Sequence, residues 1–181
     1  STRNTYILSM AGLLAIAEAL TEYGPMKPTV LLMWVSAEEK GLLGSRAWTK
    51  DPWLPEGMQP FCNINIDMIG RNAPDAIGIT PTSAHPEYNR LTQLVEKHCG
   101  KEGFTKLNNA DAYWSRSDHA NFARNLKIPV AFLFSDVHED YHKPTDTADK
   151  IDCDKLSRVV RLVMRLLDDM QAPNLDLRIG N

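Results

Sequence analysis

The chain has 181 residues, enough for one domain with a sizeable hydrophobic core, and its 43% hydrophobic and 24% charged content is that of an ordinary globular protein. A net charge of −3 offers no electrostatic basis for binding nucleic acid, and no apolar run approaches the roughly 20 residues needed to cross a bilayer. Cys62, Cys99 and Cys153 are an odd number at wide spacings, matching neither a zinc knuckle nor a redox motif; they read as three isolated thiols or at most one disulfide.

Residues 5–23 read as an amphipathic helix with Leu13, Ile16, Ala17 and Leu20 on one face, stopped by Gly24-Pro25. Residues 29–35 (TVLLMWV) form a continuous apolar run, the pattern of a strand buried on both faces. A helix over 41–48 follows, then a loop punctuated by Pro52, Pro55, Gly57 and Pro60. Residues 61–67 (FCNINID) alternate as a second strand, 76–80 as a third, and 85–98 as an amphipathic helix. A short helix over 117–125 precedes a fourth strand, 128–134 (IPVAFLF). The closing helix, 154–170, carries the apolar stripe Leu156, Val159, Val160, Val163, Leu166 and Leu167, and the tail from Pro173 reads as peripheral. Helices alternating with apolar strands imply a three-layer α/β/α sandwich with a mostly parallel or mixed central sheet.

In such folds ligands gather beyond the carboxyl ends of strands. Glu38 and Glu39 follow the first strand, Asp67 ends the second, and His142 lies in the loop after the fourth. Each alone has an ordinary reading: adjacent glutamates sit on solvated surfaces, a strand-terminal Asp caps a turn, and a loop His is exposed. Together they deliver to three strand ends the carboxylate and imidazole donors that zinc accepts. An apolar strand running straight into a pair of carboxylates also places charge where burial is costly without a cation or base.

The segments SAEEKGLLGS (36–45), NIDMIG (65–70), SDHANF (117–122) and YHKPTDT (141–147) resemble, in order, the motifs of the co-catalytic zinc aminopeptidases. That family includes bacterial leucyl-type aminopeptidases and glutamate carboxypeptidase II, with glutaminyl cyclases as relatives. The resemblance runs from about Gly12 to Met170 and implies two zinc ions, a peptide substrate, and hydrolysis of N-terminal residues. It implies Glu38 as general base and acid, Glu39 and His142 as ligands of one zinc, and Asp67 as a ligand of the second. Asp118 and His119 fall beside the substrate pocket on this reading, or mark a helix start with His119 exposed. Asp146 hydrogen-bonds into the metal loop or belongs to an ordinary turn. Tyr113 and Trp114 line the pocket or serve packing, while His85, His98 and His138 read as surface residues.

Two of the family's features have no counterpart. One is an upstream His-x-Asp segment. The other is an aspartate-bearing stretch opening the first helix, against which Ile7 and Leu8 align. The expectation is a single domain over 1–181, truncated at its N-terminus and lacking its N-terminal strands, too poor in ligands for tight zinc binding and inactive or weakly active alone. An exposed sheet edge then invites homo-oligomerisation. By resemblance the parent protein is periplasmic or secreted rather than cytoplasmic. The competing expectations are a non-catalytic binding member of the fold and a single-zinc acyltransferase like the glutaminyl cyclases.

Overall fold

Four short segments pair into one sheet. The computed structural model describes residues 3–179, with side chains from residue 9 onward. The strands are β1 (Asn63–Asp67), β2 (Ala76–Thr80), β3 (Lys106–Asn109) and β4 (Val130–Phe134), in the order β1-β4-β2-β3. β1 with β4 and β2 with β3 are parallel, while β2 and β4 run antiparallel with Ile79 opposite Leu133, so the sheet is mixed.

Strand side chains alternate between the two faces. Ile66, Ile77, Ile79, Ala131 and Leu133 enter the main core, under the helices α1 (Arg3–Tyr23), α3 (Arg90–Cys99) and α5 (Cys153–Asp169). Phe132 and Phe134 fill a smaller cluster with Met68 and Ala110. On that side lie α2 (Leu43–Lys50) and α4 (His119–Asn121), the latter running into a π-helical turn over Phe122–Leu126. Three layers result, as the alternation of elements implies.

Local chemistry sets the helix ends. Asp152 caps α5 by accepting from the Lys155 backbone N–H at 2.8 Å. Val159, Leu162 and Leu166, all fully buried, then face the sheet. Gly12 lets α1 cross the β1 region closely: a Cβ there would lie 3.0 Å from Ile69 Cδ1 and 3.2 Å from Ile66 Cδ1.

Four expectations need correcting, and one strand, β3, goes unforeseen. Residues 29–35 are not a buried strand. They carry no ladder among the described residues, and Leu31 and Trp34 are about half exposed. An apolar run becomes a strand only when a neighbour takes its backbone bonds, and none of the described strands lies beside it. The helix expected from 85 begins at Arg90, because Asn89 and Thr92 close a reciprocal capping box there. β3 is invisible in the pattern: its side chains (KLNN) are all exposed, and only pairing with β2 makes it a strand. His98 is buried, with Nε2 2.7 Å from Asp169 Oδ2. The tail is not peripheral throughout, since Leu177 is buried and its carbonyl accepts from the Arg90 N–H. All three cysteines are free thiols.

Candidate active site

Glu38 and Glu39 are held in a tightly wound corner. Ala37 (φ 56°), Gly41 (φ 98°) and Leu42 (φ 58°) take left-handed conformations around the single 3-10 turn Glu38–Lys40. Gly44 is needed for closure, because a Cβ there would lie 2.5 Å from the Ser36 carbonyl oxygen. The corner is tied to the α4 segment. Ser45 Oγ donates to Asp118, and Asn121 Nδ2 donates to Ser45 Oγ at 2.9 Å and to the Leu42 carbonyl at 3.1 Å.

Asp67 closes β1, followed by Met68 at φ 52°. Its Oδ2 accepts from Ser117 Oγ at 3.2 Å, and Asn65 Nδ2 donates to the same hydroxyl at 2.9 Å. The alternation of β1 thus sends Ile66 into the core and Asn65 and Asp67 toward Ser117.

His142 enters from the loop after β4, itself in a left-handed conformation at φ 58°. Its Nε2 lies 2.8 Å from Glu39 Oε1, and its ring stacks on Tyr141 with centroids 3.9 Å apart. Buried Arg71 clamps this loop, donating to Asp140 at 2.6 Å and to Asp146, while Lys150 adds a second ion pair to Asp140 at 2.9 Å. Left-handed non-glycine residues cost of order 1–3 kcal/mol each and persist where the surroundings impose them. Each of the three segments here carries at least one.

The electrostatics are one-sided. Burial, with Asp67, Glu39 and Asp118 nearby, raises the Glu38 carboxyl to about 7, against a smaller opposing pull from Arg116. Burial also raises Asp67 to about 6, with Asp118 and Glu39 adding to it and the Ser117 hydrogen bond opposing. Burial raises Asp118 as well, partly offset by Ser45. Tyr141 is raised by burial and by the carboxylates of Glu39, Glu38 and Asp67. Four acidic side chains thus share one region in which Arg116 is the cation that opposes the rise of Glu38.

Glu39 and His142 therefore meet as a pair, with Glu38, Asp67 and Asp118 lining the same cavity as Glu39. Among the described residues no three His, Cys, Asp or Glu side chains are grouped to hold a metal ion. A catalytic zinc takes three protein donors, so these residues alone do not fit one. The side chains of Ile7 and Leu8, which align with the missing aspartate stretch, lie outside the described residues.

The remaining candidates divide. Asp118 sits beside the acidic cluster and Asp146 works through Arg71. His119 is fully buried rather than exposed: its ring stacks on Phe132 at 4.4 Å, and burial drops its pKa to about 3, so it is neutral. Trp114 packs between His85 (4.4 Å) and His119 (5.3 Å), and Tyr113 packs on Phe134 (4.8 Å) and bonds Asp136. Neither lines the cavity that Glu38 and Asp67 share. Sequence reasoning missed Ser117, Arg116 and Tyr141. Ser117 and Tyr141 lie inside the quoted motifs, but only the fold turns them toward Asp67 and His142.

Comparison with known proteins gives the family and the fold. The family model for Peptidase family M28 matches residues 8–167. A probable leucine aminopeptidase of Arthroderma benhamiae is 27% identical over 168 residues, covering 85% of this chain and 44% of its own length. The zinc aminopeptidase of Bacillus subtilis superposes with a TM-score of 0.73 at 22% identity, over 92% of this chain and 41% of that one. An aminopeptidase from Aneurinibacillus matches with a TM-score of 0.59 at 27% identity, over 81% of this chain and 33% of that one. The chain thus spans less than half the length of these relatives.

Proposed function

Because the chain belongs to Peptidase family M28, we propose that it is the part of a zinc-dependent aminopeptidase that carries the general base and two donors to one metal. The observation that carries this reading is the meeting of Glu39 with His142 at 2.8 Å from distant segments, beside Glu38 and Asp67. A loop that served only to turn the chain would have no reason to hold a strained His142 against a carboxylate.

In this reading Glu38 accepts a proton from the attacking water and returns it to the leaving amine. Burial holds the Glu38 carboxyl above the ordinary range, which favours a group that both takes and returns a proton. Glu39 and His142 would be two donors to a zinc ion and Asp67 a donor to a second, with a peptide as the substrate. Ser117 fixes the Asp67 carboxylate, and Asp118 fixes the Glu38–Glu39 corner through Ser45. The described residues leave each ion short of donors. In this reading residues 1–181 by themselves are inactive or weakly active.

The test compares residues 1–181 with the complete product of the gene, measuring zinc per chain and hydrolysis of leucine p-nitroanilide. The complete product should hydrolyse the substrate in a chelator-sensitive way and lose that activity on Glu38→Gln, while residues 1–181 do neither. Stoichiometric zinc on residues 1–181, or a complete product without zinc, would overturn the reading. N-terminal glutaminyl peptides in the same assay separate peptidase from cyclase chemistry.

A further inference from the structure

Besides covering the sheet, the N-terminus of α5 grips the segment that follows Asp67. The Asp152 N–H donates to the Gly70 carbonyl at 2.9 Å. Lys155, fully buried although a lysine, reaches further along the same segment: its Nζ donates to the Arg71 carbonyl at 2.6 Å and to the Ala73 carbonyl at 3.0 Å. An ammonium is costly to bury unless hydrogen bonds replace its water, so Lys155 and these two carbonyls fix one another in place. Met68 and Ile69, both buried, lock the two residues between Asp67 and this grip.

The gripped segment in turn holds the loop that carries His142, and it does so on both sides of that residue. Asn72, in a left-handed conformation at φ 63°, donates from Nδ2 to the carbonyls of Ser135, Asp136 and Val137 at 2.8, 3.2 and 3.1 Å. Arg71 pairs with Asp140 just ahead of His142 and with Asp146 just beyond it. The loop's own backbone bonds are short turns, from the Tyr141, Lys143 and Asp146 N–H groups to the carbonyls of His138, Asp140 and Lys143. Such turns join neighbours in sequence only. The place of the loop against the sheet is set by side chains reaching in from outside it, with Arg71 and Asn72 foremost.

We propose that Lys155 and Asn72 are positioning residues for His142: Lys155 pins residues 71–73 to α5, and through Arg71 and Asn72 the pinned segment sets where His142 meets Glu39. Because the segment begins just after Asp67, Met68 and Ile69, one mount serves both Asp67 and His142. Neither Lys155 nor Asn72 touches a reacting group. Their value to catalysis rests on the function proposed above, whereas the mount itself is a property of the fold.

Amide hydrogen exchange and histidine-selective NMR test the mount in the complete product of the gene with a chelator present. The outcome is then separate from that of the zinc and hydrolysis assay. Lys155→Met keeps an unbranched side chain and removes its donors, while Asn72→Gly suits the left-handed backbone and removes the amide. Lys155→Met should speed exchange at Tyr141, Lys143 and Asp146 at least about tenfold more than in β4, the mark of local opening rather than of lost global stability. Asn72→Gly, the milder change, should do so by about threefold or more, and it decides the matter alone if Lys155→Met does not fold. In each folded variant the His142 imidazole resonances should broaden, while those of buried His98, which meets Asp169 at the other end of α5, stay unchanged. Faster exchange confined to 71–76, or raised equally in β4 and the loop, would reduce Lys155 to a stabiliser and overturn the proposal. So would His142 resonances that stay sharp in every variant that folds.

Discussion

Replacing Asp67 with asparagine should stabilise the isolated chain. In the native structure burial and the neighbouring Asp118 and Glu39 carboxylates lift the Asp67 pKa from 3.8 to about 6. Below about pH 4 the carboxyl is protonated whether the chain is folded or not, and it contributes nothing. Between about 4 and 6 the unfolded chain gives up its proton while the folded one keeps it, so stability falls as pH rises. Above about pH 7 the full penalty applies: a shift of about two units at about 1.36 kcal/mol each is about 3 kcal/mol. Coupling to Glu38, also raised, makes that an upper bound, and a gain of about 1–3 kcal/mol is the working expectation. Asparagine keeps an oxygen to accept from Ser117 Oγ, so the geometry survives the change. Urea unfolding with a chelator present reads the effect: the variant's midpoint should exceed the wild type's at about pH 8, and the gap should narrow to about 1 kcal/mol or less near pH 4.5. A gain independent of pH, or none at pH 8, would show that the acidic cluster is not the source of strain. In a complete enzyme the same substitution should abolish activity, the pattern of a site that trades stability for function.

Glu102 predicts the opposite pH sign. It is buried between Arg161 and Arg165, whose hydrogen bonds outweigh its desolvation and hold its pKa below the ordinary value, so its contribution is present at neutral pH and lost on acidification. Glu102→Gln should cost about 1.5–3 kcal/mol at pH 7 in urea unfolding and progressively less toward pH 4, without touching the acidic corner. Gly44→Ala should lower stability by about 1–3 kcal/mol, because the added methyl meets the Ser36 backbone. Gly100→Ala, where the Cβ meets open space in a helical conformation, should be neutral or slightly stabilising by thermal melting. Arg71→Met removes the clamp on the 136–147 loop and should cost about 3–5 kcal/mol. It should also broaden the His142 imidazole resonances in NMR, and unchanged resonances would mean that the loop is held by something else.

Elements with strong periodic patterns are legible in the sequence alone. The apolar stripe of α5 and the alternation of β1 follow from burying one face, which constrains sequence directly. Asp67 and His142 are legible as donor types that end or follow a strand, and Glu38 and Glu39 as a carboxylate pair that follows an apolar run. What resists are features defined by a partner. β3 has no apolar residue facing a core and exists by pairing with β2. Lys155 is fully buried on a helix whose pattern reads it as solvated, and only the 70–75 loop explains it, by presenting the carbonyls of Arg71 and Ala73 at 2.6 and 3.0 Å.

Residues 29–35 show the division most clearly. Their composition determines that they seek a place in a sheet, covered on both sides, and the motif that follows determines which side chains arrive at its end. Whether they obtain that place is not a property of the segment. It depends on a neighbour's backbone, and tertiary structure alone decides that the position between this run and β1 is a cavity. Side-chain pattern is written locally in a sequence, whereas hydrogen-bond pairing between strands is a relation between distant segments. That is why the donor types at Glu38, Glu39, Asp67 and His142 can be read from one dimension, while the cavity beside them needs three.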